Sequence, residues 1–123
     1  MVGGQDELVF DGASMYLDSK GNTILKGKDF SEDLLIKTLG QRLRYKAIPI
    51  KKGTKNESLL HIFSALSLGL KDYVLKNGFN KVVIGISGGI DSALVAAIAA
   101  KSLGPKNVLG IAMPTKFNSQ LSL

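Results

Sequence analysis

The stretch from Val82 to Ala100 constrains this chain more than any other. It opens on a β-branched run, breaks at Ser87-Gly88-Gly89, and continues as an alanine-rich run that carries Asp91. Its length approaches that of a membrane span, yet the glycine break and the carboxylate would both be costly in lipid. A change from β-branched to alanine-rich residues instead predicts a buried strand over Lys81 to Ile86, a turn, and a buried helix from about Asp91 to Leu103. That helix closes at Gly104-Pro105, and Val108 to Met113 supplies another strand. Upstream, Leu59, Ile62, Phe63, Leu66, Leu70, Tyr73 and Val74 recur at three- and four-residue spacing. They predict a helix from about Glu57 to Lys76, with Asn56 as N-cap and Asn77-Gly78 as C-cap. Helix, strand, helix, strand is the order of a doubly wound α/β sheet with right-handed crossovers.

The remainder is less regular. Leu8-Val9-Phe10, Met15-Tyr16-Leu17 and Thr23-Ile24-Leu25 predict a β-hairpin within residues 7–26, turning over Asp18 to Asn22. Such a hairpin is marginal alone, so it is expected to belong to a larger sheet. Ser31 with Glu32 and Asp33 predicts a short helix through Leu34, Leu35, Ile36 and Leu39 to Gly40. Positions 37–55 hold seven basic residues and no acid, with Pro49 and Gly53, which predicts a surface linker over 37–56. The chain thus divides into 1–36, 37–56 and 57–123.

Charge follows this division. Residues 1–36 carry three basic and seven acidic side chains, a balance of −4; residues 37–123 carry thirteen and three, a balance of +10. The basic part suits an anionic ligand, whether nucleotide or nucleic acid. With 45% hydrophobic and 21% charged residues the chain has a globular composition. The absence of cysteine excludes disulfides, thiolate metal sites and thiol nucleophiles within these residues. A single histidine, His61, argues against a zinc site and reads as a packed side chain. No basic-then-apolar leader is visible at Met1, and zero cysteines agree with an intracellular, cytoplasmic setting.

Gly85-Ile86-Ser87-Gly88-Gly89-Ile90-Asp91-Ser92 falls between the predicted strand and helix, where open α/β sheets place their ligands. Adjacent glycines let the backbone approach an anion, and a helix start adds unpaired N–H groups and a positive dipole end. Ser87 and Ser92 can donate to phosphate oxygens. Asp91 would repel a bare phosphate, so its place there points to Mg²⁺ between carboxylate and phosphate. The loop is neither G-x-x-x-x-G-K-[ST] nor G-x-G-x-x-G.

It does read S-G-G-x-D-S, and Ser87 to Ser92 resembles the pyrophosphate loop of the N-type ATP pyrophosphatases, which have an adenine nucleotide alpha hydrolase-like fold. Lys81 to Ile86, Ala93 to Ala100, Leu103-Gly104, Asn107 to Gly110 and Met113-Pro114 resemble the synthetase domain of NAD synthetases. Val2 to Gly12 resembles the last part of the nitrilase-like amidase domain of the glutamine-dependent NAD synthetases. The resemblance implies a β-hairpin remnant of that amidase domain in 1–36, a basic linker in 37–56, and the first part of an ATP pyrophosphatase domain in 57–123. It further implies ATP on Gly85, Ile86, Ser87, Gly88, Gly89, Ile90, Asp91 and Ser92, and Mg²⁺ on Asp91. No catalytic residue is identified.

The parent enzyme would convert deamido-NAD⁺ to NAD⁺ through an adenylate, with glutamine or ammonia as nitrogen source, and would be a homo-oligomer. Neither nucleic acid nor membrane is expected as a partner. The chain is expected to be a fragment that is inactive alone. Lys116, in Met113 to Ser119, is a weaker candidate for a phosphate contact. Gln5, Asp6 and Glu7 read as a loop or strand end. Other pyrophosphate-loop ligases, such as GMP synthetase or a tRNA-modifying enzyme, and a non-enzymatic nucleic-acid-binding or partner-binding fragment are the alternatives.

Overall fold

A computed structural model describes residues 1–38, 46–49 and 53–112. Four short strands come first: β1 (Val2–Gln5), β2 (Leu8–Asp11), β3 (Met15–Leu17) and β4 (Thr23–Lys26). They form two separate antiparallel ribbons, β1 with β2 and β3 with β4. The expected turn over Asp18 to Asn22 is present. The Asp18 carboxylate accepts from the Asn22 side-chain amide at 2.9 Å, from the Asn22 N–H at 2.8 Å and from the Lys20 N–H at 2.9 Å. These bonds hold the Asp18 carboxyl below the usual carboxylate range, the Asn22 side chain foremost.

Two expectations for this region need correction. Leu8 to Phe10 does not join a larger sheet with the strands that follow. It pairs backwards with Val2–Gln5, a strand the periodicity did not reveal, through a tight turn at Asp6 (φ 52°). Gly12 (φ 80°) and Ala13 (φ 38°) then redirect the chain before β3. The helix expected from Ser31 is also absent, since residues 31–38 are irregular; Leu39 and Gly40 lie outside the described residues. Phe30 sits at φ 55°, and the Ser31 hydroxyl donates backwards to the Asp29 carbonyl (3.5 Å) instead of capping a helix. Asp33 accepts from the Lys28 N–H (3.1 Å), which closes a loop.

In the linker, Ile48 N–H donates to the Thr23 carbonyl at 2.7 Å, so residues 46–49 run beside β4. Arg42, Arg44, Lys51 and Lys52 of the basic run lie outside the described residues. Helix α1 (Lys55–Lys76) starts two residues before the expected position and takes Thr54, not Asn56, as its N-cap. The reason is a capping box: Thr54 Oγ1 accepts from the Glu57 N–H (3.2 Å), and Glu57 Oε2 accepts from the Thr54 N–H (2.6 Å). Its C-terminus is as expected, with Asn77 as C-cap and Gly78 at φ 79°.

The β1–β2 ribbon lies on α1, and glycine permits the approach. A Cβ on Gly69 would sit 2.9 Å from Val9 Cγ2, and one on Gly4 would sit 3.2 Å from Gly69 Cα. Gly4 N–H donates to Asp72 Oδ2 (2.8 Å), Lys76 Nζ donates to the Gly4 carbonyl (2.6 Å), and Lys76 and Asp72 pair at 3.2 Å. One backbone position is thereby held through both its polar groups. His61 packs its ring against Phe30, edge on, with centroids 4.5 Å apart.

The remaining elements are β5 (Val82–Ile86), α2 (Ile90–Leu103), a 3₁₀ turn (Pro105–Asn107) and β6 (Val108–Ala112). β5 and β6 pair in parallel, Val82 opposite Val108 through Ile86 opposite Ala112. The α/β expectation therefore holds as a β-α-β unit, a mixed α/β fold with a parallel pair. Gly104 (φ 87°) ends α2, as the Gly104-Pro105 signal indicated. Met113, the expected last residue of the strand, lies outside the described residues.

Full burial of β5 and α2 was expected and does not occur. Val83 is 63% exposed, Leu109 59% and Ile90 80%, while Ile24, Val74 and Ala99 are the buried apolar residues among those described. α2 covers one face of a two-stranded sheet and leaves the other open, so alternate side chains of β5 remain uncovered. No described helix is long and apolar enough to cross a membrane.

Candidate functional site

The candidate site is the turn between β5 and α2. β5 delivers the chain to Ile86, and Ser87, Gly88 and Gly89 make the turn. Gly88 sits at φ 79°, a conformation that a side chain disfavours. Gly89 is the N-cap of α2 in extended geometry (φ −84°, ψ 157°) and offers no side chain to the helix end. The first-turn amides of Ile90, Asp91 and Ser92 accordingly have no partner within the helix. Asp91 lies in this first turn and is exposed.

Hydroxyls tie the turn together. Ser92 Oγ donates to the Gly89 carbonyl (2.9 Å) and accepts from the Ser87 N–H (3.2 Å). Ser87 Oγ lies 3.2 Å from Ser92 Oγ and accepts from the Gly89 N–H (3.3 Å). All eight residues from Gly85 to Ser92 are therefore contiguous at one strand-to-helix junction. Glycine amides, two hydroxyls, a helix start and one carboxylate meet there. Such a junction can hold an anion by its amides, with the helix dipole favouring negative charge.

The other singled-out residues fall elsewhere. Gln5, Asp6 and Glu7 form the β1–β2 turn and line a cavity of about 560 Å³ with Gly69, Tyr73 and Lys76. His61 faces Phe30 rather than the turn. Lys116 lies outside the described residues. No cluster of three or more metal-ligating side chains occurs among the described residues. What the sequence did not reveal is the clasp of Asp72 and Lys76 on Gly4; the hint was a glycine, Gly69, inside a strong helix.

Comparison with known families decides the lineage. The family model described as NAD synthase matches residues 62–123, just over half of the chain. The chain belongs to the NAD synthase family. Its β5–turn–α2 junction lies within the matched region, which favours this family over the other pyrophosphate-loop ligases.

Relatives extend the likeness over the whole chain. The glutamine-dependent NAD(+) synthetase of Thermotoga maritima is 43% identical, over 100% of this chain and 27% of its own length. The Synechocystis enzyme of the same name is 43% identical, over 99% of this chain and 22% of its own. The solved structure of the glutamine-dependent NAD+ synthetase of Acinetobacter baumannii, in complex with ADP, superposes with a TM-score of 0.84 at 38% identity. It covers 98% of this chain and 23% of that one. The chain thus spans about a quarter of the length of the relatives it matches.

Proposed function

We propose that Gly85 to Ser92 hold the pyrophosphate end of ATP in an NAD synthetase that amidates deamido-NAD⁺, and that this chain is a segment of that enzyme. The observation that supports it is the S-G-G-I-D-S turn capping α2 without a side chain, in a chain similar to an enzyme solved with ADP. The division into an amidase remnant (1–36), a linker (37–56) and the start of the synthetase domain (57–123) belongs to the same reading. So does a cytoplasmic, homo-oligomeric parent protein.

In this reading the deamido-NAD⁺ carboxylate attacks the α-phosphate of ATP, forming a C–O–P bond and expelling pyrophosphate. Ammonia, from glutamine or free, then attacks the activated carbonyl, expelling AMP and leaving the amide. This segment acts in the first step. The first-turn amides of α2 and the Gly89 N–H bind the departing pyrophosphate, and the helix dipole favours its growing charge.

Mg²⁺ fits the donor set: it is commonly held by one or two carboxylates together with substrate phosphates, and Asp91 offers one exposed carboxylate at this turn. When bound, the ion neutralises charge between Asp91 and the phosphates. With no cysteine, these residues cannot form the thioester that frees ammonia from glutamine.

The test is calorimetric titration of the chain with ATP and Mg²⁺, beside an assay for NAD⁺ from deamido-NAD⁺ and ammonia. Saturable ATP binding without NAD⁺ formation is expected. Absence of ATP binding would refute the assignment of the loop.

A further inference from the structure

Among the described residues β1 has only β2 beside it, so one of its edges is left without a strand. Gly4, a buried residue, presents an N–H and a carbonyl that need partners. Helix α1 supplies them in place of a third strand. Asp72 accepts from the N–H at 2.8 Å, and Lys76 donates to the carbonyl at 2.6 Å. The charge on each partner makes these bonds stronger than a ladder bond between two amides. The fit also depends on side chains that are missing. A Cβ on Gly3 would meet Asp72 Oδ2 at 2.8 Å, and one on Gly69 would meet Val9 Cγ2 at 2.9 Å.

A second attachment shares the same stripe of the helix. His61, which packs on Phe30, lies within about 80° of Gly69, Asp72 and Lys76 around the axis of α1. Along that axis His61 and Lys76 are about 22 Å apart. Val74, the buried residue of α1, lies on the opposite side. Two attachments this far apart on one helix fix an angle as well as a distance, which a single contact does not.

We propose that this stripe of α1 is a docking surface for a glycine-bearing β-ribbon, and that it holds the leading segment without help from the linker. The orientation of the two domains is then set by α1, not by the residues that join them. The division into domains is the one proposed above, and the docking surface goes beyond it.

The test is to insert a protease recognition sequence after Gly53 in the full chain, cleave it, and follow both pieces by size-exclusion chromatography. Residues 1–53 should travel with residues 54–123. The Ile48–Thr23 bond lies within the first piece and cannot join the two. Asp72→Ala should weaken their association about tenfold or more, as expected for a bond to a charged group, and Asp72→Asn, which keeps an acceptor, should weaken it less. Gly69→Ala separates docking from helix stability. Alanine favours a helix over glycine, so circular dichroism should show the helix kept or strengthened. The new methyl strikes Val9, so the association should weaken all the same, and adding Val9→Ala should recover part of it. Pieces that separate with every native residue in place would overturn the proposal. So would a Gly69→Ala chain whose pieces associate as tightly as before. Pieces that stay together but bind no ATP would remove the nucleotide reading and leave the docking surface standing.

Discussion

Gly89→Val separates the turn as a ligand cradle from the turn as a piece of fold. Gly89 has φ −84° and ψ 157°, a conformation that β-branched residues favour. A Cβ there would rest 3.4 Å from Ser87 Oγ, an ordinary contact. The glycine supplies no side-chain cap, so none is lost. The helix should therefore form as before. The two new methyl groups would occupy the space before the first turn of α2 and deny a phosphate the Gly89 N–H and at least one first-turn amide. Each hydrogen bond to a charged group is worth ~1.5–3 kcal/mol, so losing two should weaken ATP binding by ~10² to 10⁴-fold. Titration calorimetry with ATP and Mg²⁺ reads the affinity, and far-ultraviolet circular dichroism reads the helix. Unchanged affinity would mean that the phosphate does not sit on this helix start. A lost helical signal would mean that the turn depends on Gly89 for more than access.

Other outcomes follow from single features. Asp91→Asn should weaken ATP binding in the presence of Mg²⁺ and leave the Mg²⁺-free affinity unchanged or higher, since the repelling carboxylate is gone; titrations with and without the ion check this. Acid should fray the start of α1. The Thr54 N–H, and then the Thr54 hydroxyl, hold the Glu57 carboxyl below its usual value. The cap's contribution is thus fully present above the ordinary glutamate range and fades as pH falls through the lowered value. Exchange at the Glu57 amide, followed on acidification, should show the loss, and Glu57→Gln, which has no carboxyl to titrate, should abolish the pH dependence. Asp72→Ala should cost ~1–3 kcal/mol at the ribbon–helix contact, because the buried Gly4 N–H loses its acceptor. Faster exchange at Gly4, with the β5–α2 junction unchanged, is the expected readout.

The junction was legible because its determinants are local. A β-branched run, two glycines and an alanine-rich run specify strand, turn and helix within a dozen positions, and none of these needs a distant partner. The helix ends signalled by Asn77-Gly78 and Gly104 were readable for the same reason. Misreadings arose where two local signals competed or where the outcome lay elsewhere in the chain. Asn56 and Thr54 are both good caps, and Glu57 decides between them by reaching back to Thr54. Ser31 could have capped a helix, but Phe30 turns the chain and the hydroxyl points back to Asp29. Burial of β5 depends on what covers its second face, which its own composition does not encode.

The clasp of Asp72 and Lys76 on Gly4 bears on how such a chain can be divided or recombined. The reading proposed above puts residues 1–36 and 57–123 in two different domains, yet Gly4 of β1 and Gly69 of α1 are cut to one another's shape. A replacement for the leading ribbon would have to bring its own small residue opposite Gly69 and offer an N–H and a carbonyl to the charged pair. A junction placed between the ribbon and the helix would instead strand Asp72 and Lys76 beside an ill-fitting surface. The workable seam for a chimera lies before β1, so that ribbon and helix travel together as a single transplantable block.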